Sequence, residues 1–168
     1  EQLYWEYQEV AMSAYEEVCG NGGSALMLHT YAPRTVDVDV DENIVKSLHR
    51  AYEPEVFGKW PLRPEVDIIG RTMDGSLLAP EGLVHAIQLA FGALSLPVAL
   101  GQSYPLHPST MGYHHSVRYP GQTLCLELRR DLLADPFDPF VQMRISAEAC
   151  IRMADALASA YESWWKVG

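Results

Sequence analysis

The chain has 168 residues, 48% of them hydrophobic and 20% charged, which suits one globular domain over residues 1–168 with a substantial core. Its net charge of -10, with 12 Lys and Arg in all and no basic block, excludes a surface that tracks phosphates, so no nucleic-acid partner is expected. The same sign repels an acidic substrate at long range, so such a substrate needs a locally positive pocket.

In chain order, Leu3, Tyr7, Val10, Ala14 and Val18 recur at helical spacing and predict an amphipathic helix over residues 2–19, stopped by Gly20-Asn-Gly-Gly23. Ala25 to Tyr31 reads as a short strand. Asp37-Val-Asp-Val-Asp41 fails as a calcium loop, because Glu42 stands where the turn glycine is needed and Leu48 where the bidentate acid belongs. Its alternation predicts an edge strand with a solvated acidic face. Asp41 then caps a second helix with Ile44, Val45, Leu48 and Tyr52 inward. A Pro-punctuated stretch from Pro54 to Pro64 leads to a strand at Val66–Ile69 and a loop to Ala79. Pro80 opens a helix whose buried stripe is Leu83, Ile87, Phe91 and Leu94.

Pro97–Leu100 predicts a strand, followed by a loop to Gly121 rich in His, Tyr, Pro and Gly. Residues 83–100, although apolar, are interrupted by His85, Gln88, Gly92, Ser95 and Pro97, so a helix and a strand are expected there and no membrane partner. Gln122–Leu133 holds the next strand, Asp135-Pro-Phe-Asp-Pro139 turns, and Ser146 caps a last helix to about Trp165. This alternation predicts an α/β layered fold: a mixed, mostly parallel sheet with helices on both faces. Cys19, Cys125 and Cys150 are too few and too scattered for a disulfide framework or a zinc ribbon, and the opening Glu1–Glu6 lacks the basic and apolar regions of a signal peptide. Both features suit a reducing, cytoplasmic setting.

The strand around Glu127 carries the most chemical information. Leu124, Leu126 and Leu128 share one face, and Thr123, Cys125, Glu127 and Arg129 the other. A carboxylate among apolar neighbours is costly unless it is paired or chemically used. Glu127 is therefore either locked to Arg129 or Arg130, or it works at the strand end, where open sheets place ligands. His29, at the exit of the Ala25–Tyr31 strand, is either a satisfied core histidine or a metal ligand. His107, His114 and His115 share a loop with Tyr104, Tyr113 and Tyr119; adjacent histidines point apart in extended chain, so substrate lining or loop packing is preferred to metal binding. Arg34, Arg118, Arg129 and Arg130 are each either a fork for a substrate carboxylate or a structural ion-pair partner. Neither a phosphate-binding glycine loop nor a G-x-S-x-G nucleophile motif is present.

Taken in order, Ala25-Leu-Met-Leu-His-Thr-Tyr-Ala-Pro33, Val66-Asp-Ile-Ile-Gly70, Gly112-Tyr113 and Leu124-Cys-Leu-Glu-Leu-Arg-Arg130 resemble the N-formylglutamate amidohydrolase family, itself similar to zinc carboxypeptidases and aspartoacylase. The resemblance spans roughly residues 5–160. It implies a zinc-carboxypeptidase-like fold shortened at its N-terminal side, with His29 as a zinc ligand and Glu127 as the catalytic glutamate. It further implies substrate contacts from Tyr113, Arg118 and Arg130, to which the position of Arg34 just after the His29 strand adds a fourth candidate. Met27 stands where the family carries an acid before the zinc histidine, and Cys125 where it carries glutamine. Gly101 or Gln102 stands where it carries asparagine.

The family's other two metal ligands belong upstream of the first helix, and residues 1–24 contain no histidine. One imidazole holds zinc poorly. A fragment, a site completed by a partner chain or a homo-oligomer, and a non-catalytic subunit are the three explanations. The expected activity is zinc-dependent hydrolysis of the amide of a small N-acyl amino acid, with Glu127 as general base. The alternative is a partner-completed or non-catalytic subunit that uses the hydrolase fold for binding or assembly. The first predicts His29 and Glu127 converging on an open cleft. The second predicts a filled cleft, Glu127 tied to an arginine, and a bare apolar face.

Overall fold

The computed structural model describes residues 2–136 and 138–166, with Gln2 and Tyr4 described for their backbone alone. Phe137, within the expected Asp135–Pro139 turns, lies outside the described residues. The elements are α1 (Gln2–Cys19), β1 (Ala25–Tyr31), α2 (Ile44–Ala51), α3 (Pro54–Phe57), β2 (Val66–Ile68), α4 (Glu81–Ala93), β3 (Val98–Leu100), α5 (Met111–Arg118), β4 (Thr123–Arg129), a 3-10 turn over Arg130–Leu132, and α6 (Ala147–Trp165). The strands form one sheet in the order β1-β4-β2-β3. β1 runs parallel to β4 and β2 to β3, while β2 and β4 are antiparallel. The expected mixed, mostly parallel α/β sheet is therefore present.

β4 separates two unlike layers because successive side chains leave a strand on opposite faces. Leu124, Leu126 and Leu128 join Val66 and Ile68 of β2 and meet Leu83, Ile87 and Phe91 of α4 and Met153, Leu157 and Ala160 of α6. Each of these large side chains, fully buried, contributes about 1.5–3 kcal/mol. The opposite face carries Met27, His29, Asp67, Cys125 and Glu127, and α5 packs there through Gly112. A Cβ on Gly112 would lie 2.8 Å from the Cys125 sulfur, so glycine lets α5 sit directly on the sheet. Ser146 caps α6 as expected, its hydroxyl accepting from the Ala149 amide at 3.2 Å. Pro80 stands at the N-cap of α4, one position before the first helical turn.

Several expectations fail. In α1 the Leu3, Tyr7 and Val10 line faces solvent, at 82%, 66% and 70% exposure. The helix instead seats Tyr15, which stacks on His115 with ring centroids 3.7 Å apart, and the buried Cys19. In α2, Ile44 and Ala51 turn inward while Val45 and Leu48 are exposed. Asp41 holds the Asn43 amide at 2.8 Å in a turn just before α2, and Asn43 takes the N-cap position. No strand forms over residues 36–40: no neighbouring strand lies beside the alternating Val and Asp, and a strand needs a ladder partner. The short helix α3 interrupts the Pro54–Pro64 stretch, with Pro54 supplying a first-turn backbone angle.

A further failure is α5, within the segment read as a loop to Gly121. Thr110 caps it, accepting from the Tyr113 amide at 3.2 Å. Gly112, Val117 and two histidines are weak helix formers, so tertiary packing decides the conformation. Among the described residues no helix is long and apolar enough to cross a membrane.

Candidate functional site

One row of side chains crosses the functional face of the sheet. In register, His29 of β1 neighbours Glu127 of β4, and Glu127 neighbours Asp67 of β2. Cross-strand partners point to the same face, so residues far apart in sequence meet side by side. His29 Nδ1 lies 3.7 Å from Glu127 Oε1; the His29 side chain is 61% exposed, that of Glu127 only 11%. His29 is therefore not a core histidine. It stands in solvent at the mouth of a cleft with Glu127 beneath it.

Among the described residues no arginine forms an ion pair with Glu127. Arg129 instead bonds Asp131 at 2.8 Å, Glu65 at 3.2 Å and the Arg63 carbonyl at 2.8 Å. Glu127 Oε1 accepts from the Tyr104 hydroxyl at 3.4 Å, which is long for such a bond. Oε2 is buried with no partner among the described residues. Burial raises the Glu127 pKa above the ordinary carboxylate value, Asp67 adds to the rise, and His29, Tyr104 and Arg63 oppose it. A buried carboxyl with an unused oxygen, beside a solvent-facing imidazole, is equipped to accept a proton.

Asp67 has the opposite surroundings. It is fully buried; Oδ1 accepts from the amides of Gly101 and Gln102 at 2.8 and 3.2 Å, and Oδ2 from Ser103 at 2.6 Å. Gly101, at φ +72°, has the left-handed conformation that turns the loop back over the carboxylate. Asp67 thereby fixes the loop that carries Tyr104 to Glu127.

The cleft continues beneath Glu127 as a cavity of about 120 Å³. Met27, Ile69, Leu106, Gly112 and Cys125 form its depth, with His29, Tyr104, Thr110 and Glu127 its polar members. Burial pushes the Cys125 thiol up to about 11, leaving it a small apolar group at neutral pH.

The remaining sequence candidates disperse. Arg34 donates to the Trp60 carbonyl and lies over the Phe57 ring, 5.8 Å from its centroid. Arg118 reaches Glu16 at 3.5 Å on an exposed surface. Both are structural cations in this arrangement. Arg130 approaches the Thr30 carbonyl at 3.4 Å, one residue from His29. Tyr113 packs beside the Ile69, Leu106 and Cys125 cluster and meets His114 edge to face. His115 is buried, its pKa lowered by that burial, and His107 bonds Ser109 at 2.8 Å.

Sequence reasoning placed Tyr104 only in a loop of substrate lining or packing, and it missed Asp67 and Arg63. The Arg63 guanidinium lies over the Tyr31 and Tyr104 rings, 5.1 and 5.9 Å from their centroids. Its place in the Pro-rich stretch gave no sign of this. Asp67 did carry a signal, a lone acid inside an apolar strand, the same pattern as Glu127.

Zinc does not fit these residues. No group of three His, Cys, Asp or Glu side chains converges among the described residues. Glu127 and His29 supply two donors, and both oxygens of Asp67 are taken by backbone amides. A resident zinc needs three side chains or more.

Neither the scan against family models nor the search of curated proteins finds a match. Among solved structures, the chain is similar to N-formylglutamate amidohydrolase from Ralstonia eutropha JMP134, with a TM-score of 0.55 at 15% identity. The match covers 98% of this chain and 51% of that one, so the chain spans about half the length of the enzyme it resembles. At this identity the likeness establishes a distantly shared α/β fold and no more.

Proposed function

We propose that the protein is an amidohydrolase acting on a small N-acyl amino acid, with Glu127 as the general base. The observation that carries this reading is the Glu127 carboxyl: buried, raised in pKa, one oxygen unbonded, and opening on a cleft beside His29. Glu127 takes a proton from an attacking water and returns it to the leaving nitrogen. His29, exposed at the mouth, orients the carboxyl and exchanges protons with solvent. The first turn of α5 borders the same cavity through Thr110 and Gly112. Amides of a helix's first turn lack intrahelical acceptors, which suits them to the carbonyl oxygen as it gains charge.

Arg63, held against Tyr104, and Arg130, beside Thr30, are the cations suited to the substrate carboxylate. They replace Arg34 and Arg118 in that role. None of these steps is routed through zinc, because the donor set of the described residues does not fit it. Incubation with a panel of N-acyl amino acids should release free amine, and Glu127→Gln should abolish that release. Metal analysis of the same protein should find zinc well below one equivalent. One equivalent, lost on His29→Ala, would overturn the metal-free scheme.

One observation favours a second reading, assembly with another polypeptide. α1 exposes Leu3, Tyr7 and Val10 in a line, and β1 is an edge strand with Leu28 46% exposed. The absence of a Glu127–arginine pair argues against a purely non-catalytic subunit. Light scattering on the purified protein separates the two readings: a monomer that hydrolyses the panel excludes a partner-completed site.

A further inference from the structure

Building on the hydrolase reading above, we infer that the cavity beneath Glu127 receives an apolar acyl chain of several carbons, and that the amino-acid half of the substrate lies outside it. The division follows from where the charges are. Glu127, His29 and Tyr104 are the titratable polar groups at the rim, and no lysine or arginine lines the cavity. A substrate carboxylate placed inside would lie against the Glu127 carboxylate with no lysine or arginine in the lining, a costly arrangement. The available cations, Arg63 beyond Tyr104 and Arg130 at Thr30, lie outside the lining. The carboxylate-bearing half must therefore face outward and the acyl half inward.

The walls suit that half. Met27, Ile69, Leu106 and Cys125 offer hydrocarbon and sulfur, and the Cys125 thiol stays protonated at neutral pH. The cavity, about 120 Å³, is well above the volume on the order of 10–15 Å³ that a single water-sized group needs on the same measure. A formyl group leaves most of it empty, and an empty apolar cavity forgoes the contacts that stabilise a bound ligand. Met27 and Cys125 are cross-strand partners, so together they set the depth available to the chain. Gly112 keeps α5 from occupying the space, since a Cβ there would meet both sulfurs, at 2.8 Å for Cys125 and 3.5 Å for Met27. Cys125, which stands in the place of the family's glutamine, thus becomes a specificity residue that makes the cavity apolar.

The test is calorimetric titration of the Glu127→Gln protein, which binds without turnover, with N-formyl-, N-acetyl-, N-butyryl- and N-hexanoylglycine. Affinity should rise about fourfold per methylene from formyl to butyryl and level off at hexanoyl. Cys125→Ala, which deepens the cavity without touching the rim, should move the optimum towards hexanoyl. Met27→Ala provides an independent second enlargement should Cys125→Ala fold poorly. Affinity flat or falling from formyl to butyryl, or an optimum unmoved by both enlargements, overturns the inference. Hydrolysis by the wild type is scored separately. A clear chain-length gradient with no hydrolysis of any member supports the apolar site and refutes the hydrolase reading. Hydrolysis confined to the formyl compound does the reverse.

Discussion

Asp67 and Glu127 are neighbours in register on adjacent strands, and both are buried acids in an otherwise apolar β-layer. Asp67 accepts three backbone amides through its two oxygens. Glu127 has one long contact to Tyr104 and one oxygen with none. The difference teaches how to separate a structural acid from a chemical one. Burial is common to both, while hydrogen-bond satisfaction divides them. A folded chain tolerates an unsatisfied buried acid at a cost, and such sites collect where function requires them.

The largest effect expected from this contrast is on activity. Glu127→Gln keeps the shape and removes the base, so hydrolysis of a responsive N-acyl amino acid should fall about 10³-fold or more, within the range typical of general-base loss. Its urea midpoint should stay at or above that of the wild type, because a neutral amide is less costly to bury than a carboxylate. Equal activity in the two proteins would remove Glu127 from the chemistry.

Asp67→Ala should behave in the opposite way. Losing the acceptor of three amides should cost about 3 kcal/mol or more of stability, read by urea denaturation, since bonds to charged groups are worth about 1.5–3 kcal/mol each. Asp67→Asn, which keeps one carbonyl acceptor, should lose about half as much. Activity in Asp67→Asn should fall because Tyr104 is held less firmly, and tyrosine fluorescence quenching by iodide should rise in step. A variant as stable as the wild type would show that the loop holds itself.

His29→Ala comes next in size. The side chain is mostly in solvent, so stability should change by no more than about 0.5 kcal/mol. Activity should fall about 10²-fold, the low end for a proton-handling group. Unaltered turnover would leave His29 as a bystander at the mouth.

Much of the fold was legible because strand and helix periods were unambiguous. Leu83, Ile87 and Phe91 at helical spacing, and Leu124, Leu126 and Leu128 at strand spacing, face one shared core as their spacing requires. α1 was misread because an apolar stripe identifies a face without saying whether anything covers it. The line through Tyr15 and Cys19 won because His115 and β1 stand there. α5 was missed because its sequence is locally ambivalent and its helix depends on Gly112 fitting against Cys125. His29 and Glu127 were legible as strand-end polar residues, and the parallel pairing of β1 with β4 brings them together. Arg63 was not legible, because its position depends on two aromatic rings at distant points of the chain, and sequence spacing carries no information on such a contact.

The smallest expected effect is the most direct probe of the Glu127 environment, and it lies in the pH dependence of stability. Desolvation raises this carboxyl in the folded protein above its ordinary value of 4.5. Between the unfolded and folded pKa values the native state binds more protons than the unfolded state, so the contribution of Glu127 to stability falls as pH rises through that window. It is fully present below the unfolded pKa and lost above the folded one, the reverse of a salt-bridged acid. Glu127→Gln has no such proton, so its stability should gain on that of the wild type as pH rises from the ordinary value of 4.5 through the raised folded one, a gap read from parallel urea titrations. The acid limb of the activity profile should also lie above the ordinary carboxylate range, because the base must be ionised to act. A gap that does not change with pH would mean that water or an unseen donor already satisfies Oε2, and the distinction between the two acids would then rest on the hydrogen bonds of Asp67 alone.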